Sequence, residues 1–161
     1  MPKVLRTIRF DASDDHVFAT PADPDEIAVS GAFAFAGIGV EEIRGRRRQA
    51  FANGFLALPG LGRATFAVVG EASDADLSEA TESLARVFVE DYQAPDMAVA
   101  RDAAREEVGF SRELAAGKPL NTLLTVHRTL TYEGSIHEEF REITPPDLER
   151  PHTRIWDVSD D

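Results

Sequence analysis

The stretch Ile27-Ala28-Val29-Ser30-Gly31-Ala32-Phe33-Ala34-Phe35 alternates from end to end. Ile27, Val29, Gly31, Phe33 and Phe35 fall on one side of a period of two, and Ala28, Ser30, Ala32 and Ala34 on the other. Successive strand side chains point to opposite faces, so the spacing predicts a β-strand over 27–35. Gly37 and Gly39 follow as a bend. Upstream, Val4, Ile8 and Phe10 alternate with polar neighbours, and a short strand is expected at 16–20 before the Pro21 to Pro24 loop. Downstream, Val40 to Ile43 lead into Arg44-Gly45-Arg46-Arg47, where Gly45 suits the first central position of a type II′ turn. Gln49 to Leu58 then read as the returning strand, Pro59-Gly60-Leu61-Gly62 as a second turn, and Arg63 to Val69 as a further strand. The short connections imply an antiparallel meander of about four or five strands.

The period then changes to that of helices. Ser73 followed by Asp76 resembles a capping box, and Leu77, Ala80, Leu84, Val87 and Phe88 repeat at helical spacing. Pro95-Asp96 restarts the chain, and Asp96 can accept from the free amides of a second helix. In that helix Ala100, Ala104, Val108, Phe110 and Leu114 are the expected core contacts, and Gly117-Lys118-Pro119 end it. Strand spacing returns between Thr122 and Ile143. A three-residue turn at Glu133-Gly134-Ser135 sets Thr129 opposite Glu139, His127 opposite Arg141 and Leu130 opposite Glu138. Arg128 and Glu138 both stand on the apolar side of this hairpin, which makes them candidates for a buried pair. The fold class is therefore α+β: meander, two consecutive helices, hairpin, and an extended C-terminal tail. Residues 1–144 are expected to form one domain, with 145–161 as a tail packed on its own or a neighbouring subunit.

Composition limits the function classes. The 161 residues are 43% hydrophobic and 29% charged, enough apolar material for one core. Cysteine is absent, which removes disulfides, zinc–thiolate sites, iron–sulfur ligation and thiol nucleophiles together. The start Met1-Pro2-Lys3-Val4-Leu5-Arg6 is broken by charge and unlike a signal peptide, and no run approaches the ~18 apolar residues of a membrane span. A soluble cytoplasmic protein is the expectation. The net charge of −12 repels phosphate backbones and anionic lipid, so neither nucleic acid nor membrane is an expected partner.

No motif carries recognised chemistry. Gly37-Ile38-Gly39 and Gly60-Leu61-Gly62 lack the third glycine of a dinucleotide fingerprint and open no helix. His127 and His137 stand about 13 Å apart in the expected register, too far to share a metal. Neither metal nor cofactor is expected. Ser30 and Ser111 lie outside any nucleophile elbow, and Glu106-Glu107 and Glu138-Glu139 read as solvated charge. The unusual local feature is Arg44-Gly45-Arg46-Arg47-Arg48. Arg44, Arg46, Arg47 and Arg48 at one tight turn can grip a carboxylate, a phosphate or an acidic partner through their planar forks, or simply discourage strand pairing at an exposed tip. Opposite the apolar face of 27–35 lie only small residues, and Ala50, Ala52 and Gly54 repeat the pattern. A helix, a second subunit or a ligand can approach such a face closely. In the tail, Ile155, Trp156 and Val158 are candidate interface anchors.

Asn121-Thr122-Leu123-Leu124-Thr125-Val126-His127-Arg128, with Ile136-His137-Glu138-Glu139-Phe140-Arg141, resembles small uncharacterised bacterial proteins of a family of unknown function. The resemblance implies a bacterial, cytoplasmic setting and no activity. The functional expectation is a non-enzymatic accessory or interaction protein that self-associates, most simply as a homodimer. The alternative is an anion-binding protein or enzyme with a site between sheet and helices. The location of the alanine face distinguishes them: covered by protein it favours the first, lining a cavity with buried His or Arg nearby it favours the second.

Overall fold

The structure is a computed structural model and describes residues 1–10, 13–37 and 39–143. In chain order the elements are β1 (Lys3–Ile8), α1 (Ser13–Val17), β2 (Ile27–Val29), α2 (Arg46–Asn53), β3 (Phe55–Leu58), β4 (Arg63–Ala64), β5 (Phe66–Glu71), α3 (Asp74–Asp91), α4 (Met97–Ala115), β6 (Leu123–Leu130) and β7 (Ile136–Ile143). Two 3₁₀ turns, Ala32–Phe35 and Val40–Glu42, lie between β2 and α2. The described strands form one antiparallel sheet in the order β4-β3-β2-β1-β5-β6-β7.

That order forces the sheet to curl. Thr65 alone separates β4 from β5, yet they stand four places apart. In a flat sheet four steps of ~4.8 Å would put about 19 Å between them, against the ~3.5 Å that one residue spans. The sheet therefore rolls up, and residues 63–71 act as one bent strand that pairs first with β3 and then with β1 and β6. The bend at Thr65 shifts the alternation, so Ala64 and Ala67 both point inward. Leu5, Ala28, Phe55, Ala57, Ala64, Ala67 and Val69 fill the inside, and each is at most 1% exposed. So narrow a roll has little interior volume, which suits alanine at alternate positions. Of the small-residue face read from sequence only Ala28 takes such a place: Ala32 and Ala34 lie in a 3₁₀ turn, and Ala50 and Ala52 in α2.

The outer face carries Val4, Ile27, Val29, Leu56 and Leu58, and is covered by Leu77, Ala80, Leu84 and Phe88 of α3 and by Ala100, Ala104 and Val108 of α4. Burying a side chain such as Leu84 contributes about 1.5–3 kcal/mol. Both helices start as their sequences require. Ser73 and Asp76 form a reciprocal capping box, and the Asp96 carboxylate accepts from Val99 N–H at 2.9 Å.

Helix α4 then changes sides. Its C-terminal Leu114 and Ala115 pack with the inward residues Leu5, Ala67, Val69 and Leu124. The crossing is at Ser111, which is fully buried: Leu5 N–H donates to its Oγ at 3.2 Å, and the hydroxyl donates to Ala28 C=O at 2.7 Å. Leu5 and Ala28 flank the single paired couple Arg6 and Ile27, so the Ser111 hydroxyl stands where the next β1–β2 main-chain bond would form.

Four expectations are corrected. The strand over 27–35 stops at Val29. Gly31 has φ +75°, and a Cβ there would lie 2.6 Å from Leu56 Cβ, so the chain turns into a 3₁₀ turn. Phe33 then packs edge-on against Phe88, while Phe35 packs against Phe51, so the two rings part instead of sharing a face. The strand expected over 49–58 is helix α2 followed by β3. Gly45 does take a positive φ of +61°, but it opens a helix and not a hairpin. The strand expected at 16–20 is replaced by α1, which ends at Val17. The β6–β7 hairpin is shifted by two residues, because a five-residue loop closes through Thr131 N–H to Ser135 C=O at 2.7 Å. Leu130 faces Ile136, Thr129 faces His137 and His127 faces Glu139. A shift of two keeps every side chain on its predicted face, and it brings Arg128 opposite Glu138.

Candidate functional site

The densest group of charged side chains lies where β2, α2, α4 and the β6–β7 hairpin meet. Arg128 is the third inward residue of β6 after Leu124 and Val126, and is 1% exposed. Its Nε donates to Glu138 Oε2 at 2.7 Å, across the strand pair. Its Nη1 donates to the carbonyls of Phe51 at 2.8 Å, Gly54 at 3.0 Å and Ala50 at 3.3 Å. Its Nη2 donates to Ser30 C=O. Ala50 and Phe51 are in the last turn of α2, whose free carbonyls carry partial negative charge. A strand some seventy residues downstream therefore caps this helix. Asn53 Nδ2 adds a bond to Val126 C=O at 3.2 Å, fastening α2 to β6.

Three more side chains complete the group. Ser30, buried, donates its hydroxyl to Glu138 Oε2. Arg63 of β4 is also buried; it donates to Gly54 C=O at 3.1 Å and Gly31 C=O at 3.2 Å, and its guanidinium lies 5.0 Å from the Phe35 ring centre. Both guanidiniums thus share Gly54 C=O. Burial, and then the charge of Arg128, pull the Arg63 pKa down to about 9, so it remains a cation at neutral pH. Burial also lowers Arg128, opposed by the hydrogen bond to Glu138. Glu107 of α4, one turn before Ser111, is half-buried. Burial and then the neighbouring Glu138 raise its pKa, while Gly31 N–H and Arg128 act the other way. Its Oε1 is buried with no hydrogen-bond partner.

This arrangement binds the protein's own backbone. Both Arg128 Nη atoms and its Nε are committed to protein acceptors, and Glu138 Oε2 accepts from both Arg128 and Ser30. Within the group, Glu107 Oε1 is the buried side-chain atom without a partner among the described residues. Open depressions lie elsewhere, among them one beside Ile8, Phe10 and Phe66 that the buried Asp14 borders. One of about 580 Å³ is bordered by Lys3, Arg112, Glu113 and Gly117, and one of about 280 Å³ by Asn53, Thr65, His127 and Arg141. Neither is bordered by a buried titratable group.

Arg44, Arg46, Arg47 and Arg48 are exposed around the start of α2, at the opposite end from the Arg128 cluster. Among the described residues the side chains of Arg46, Arg47 and Arg48 make no hydrogen bond or ion pair, while Arg44 donates to Glu41 C=O. Ile155, Trp156 and Val158 lie outside the described residues. With the shifted register, His127 and His137 are two residues apart along the hairpin, closer than expected. Among the described residues, no three His, Asp or Glu side chains are grouped to hold a metal. No described helix is long and apolar enough to cross a membrane. The sequence marks Arg128 and Glu138 by placing two charges at apolar positions of alternating strands. It gives no comparable sign of Arg63, Ser30 or Glu107, which only the tertiary fold brings together.

Outside this cluster the hairpin ends the sheet with β7, eight residues long, and among the described residues no strand pairs with its outer side. Neither the curated proteins nor the solved structures contain a match to the chain. Residues 1–156 match the family of unknown function DUF6505, and the chain belongs to that family.

Proposed function

We propose that this is a non-enzymatic interaction protein that self-associates, with the β6–β7 hairpin as its working surface. The observation that carries the reading is the eight-residue outer edge of β7, with which no strand among the described residues pairs, anchored from behind by Arg128. An edge strand presents unpaired amides and carbonyls, and a further strand of matching length can add to it through main-chain bonds. Arg128 supports the same reading, since it holds the hairpin to α2 and to the end of β2 through backbone carbonyls.

Native mass spectrometry of the full purified chain tests it. An oligomer with no added mass is the expected spectrum. A monomer that retains a reproducible small-molecule mass would overturn it. It would favour the alternative, an anionic-ligand protein or enzyme using the exposed Arg44, Arg46, Arg47 and Arg48 or the unpartnered Glu107 oxygen.

A further inference from the structure

We propose that the edge of β7 left unpaired among the described residues receives a second copy of β7, antiparallel, about a two-fold axis at Phe140; this rests on the self-association proposed above. Thr131 N–H donates to Ser135 C=O, so His137, Glu139, Arg141 and Ile143 exchange main-chain bonds with β6. The main chain of Ile136, Glu138, Phe140 and Glu142 therefore points to the open edge. A two-fold axis through an edge-to-edge pair stands perpendicular to the sheet and keeps each side chain on its own face. Each allowed register is then centred on one residue facing its own copy. Centring on Glu139 pairs residues 136–142, and centring on Phe140 pairs 137–143; other centres pair fewer.

Charge separates the two. Centred on Glu139, that carboxylate meets its own copy, a like-charge pair, and His137 rather than Glu139 stands opposite Arg141. Within one chain Arg141 already donates to Glu139 at 3.2 Å; centred on Phe140, each also meets its counterpart in the other copy, so the two in-chain pairs join into one alternating group of four charges on the exposed face. On the other face Glu138 comes opposite Glu142, but each already has a cation: Arg128 at 2.7 Å and Lys118 at 3.7 Å. The axis also falls beside an exposed apolar residue. Phe110 of α4 is 36% exposed and packs edge-on against Phe140 with ring centres 5.6 Å apart. Pairing at Phe140 brings two such ring pairs together and covers them.

The absence of cysteine allows a direct test of register on the full chain. Directly opposed residues such as 139 and 141 of the other copy would have Cα atoms about 4.5 Å apart, within the ~4.4–6.8 Å range of a disulfide. Glu139→Cys and Arg141→Cys, mixed and oxidised, should give a disulfide-linked dimer that neither variant gives alone. Cross-linking of Glu139→Cys with itself would overturn the register, and so would a mixture that fails to cross-link while the wild-type chain is a dimer by native mass spectrometry. A monomeric wild-type chain would remove the register together with the reading beneath it. As a second measurement, Glu139→Arg or Arg141→Glu alone should weaken the dimer about tenfold or more, and the double variant should restore most of the affinity. An indifferent dimer would refute the ion pairing.

Discussion

Replacing Arg128 with methionine removes every guanidinium donor while keeping most of the aliphatic stem. The carbonyls of Ser30, Phe51 and Gly54 then lose a buried charged donor, and Glu138, whose side chain is 20% exposed, loses its cation. Breaking one side of a buried pair costs about 3–5 kcal/mol, because the remaining partner and acceptors stay desolvated. With a urea m-value of about 2 kcal/mol/M, the unfolding midpoint should fall by about 1.5–2.5 M at unchanged slope. Pairing the change with Glu138→Leu should recover part of the loss, since two apolar groups leave no orphan charge. Equilibrium urea unfolding followed by far-UV circular dichroism measures all three chains. An Arg128→Met loss below about 1 kcal/mol would refute the claim that this guanidinium holds α2 to the hairpin.

Three further outcomes follow from separate features. Ser111→Ala leaves Leu5 N–H and Ala28 C=O without their bridge and should cost about 1–3 kcal/mol, with amide exchange accelerating at Leu5 before other β1 positions. Gly31→Ala places a Cβ at a positive φ and against Leu56 Cβ, so thermal unfolding should register a loss of at least about 2 kcal/mol. Glu107 has a raised pKa in the folded protein, so between its unfolded and folded pKa values the unfolded chain binds fewer protons and stability falls as pH rises. Glu107→Gln should remove that fall: its stability relative to wild type should grow as pH is raised from the ordinary carboxylate range to neutrality. A difference that stays flat with pH, measured by urea unfolding, would contradict the assignment.

The strands and helices that obey one period over their whole length were legible in the sequence. Helices α3 and α4 begin at the residues their caps dictate, and the hairpin alternation placed Arg128 and Glu138 on the buried side. Misreading began where two periods agree over a short span. Ala32-Phe33-Ala34-Phe35 alternates like a strand, but the left-handed Gly31 and the approach of Leu56 turn it into 3₁₀ geometry, a constraint set by a segment twenty-five residues away. Arg46 to Asn53 was hidden because its alanines fit either period, and Phe51 is its one buried residue. The cluster around Arg128 was half legible for the same reason: charges at apolar strand positions stand out, whereas Arg63 is buried by a roll that no local pattern announces. The two-residue register error arose from loop length, which face alternation cannot fix.

The wedge of α4 at Ser111 has a bearing on how the chain acquires its fold. Strands β1 and β2 come first in the sequence, yet the hydroxyl that joins Leu5 to Ala28 lies 106 and 83 residues further on. An N-terminal fragment emerging during synthesis holds all the strands of the roll and lacks the piece that spans its seam. Contacts so distant along the chain incur their loop-closure entropy before they return any energy, which slows folding. Assembly of the roll should therefore wait until residues near Ser111 are available, and a chain shortened to end before Phe110 should keep its first five strands in sequence but not in a stable sheet.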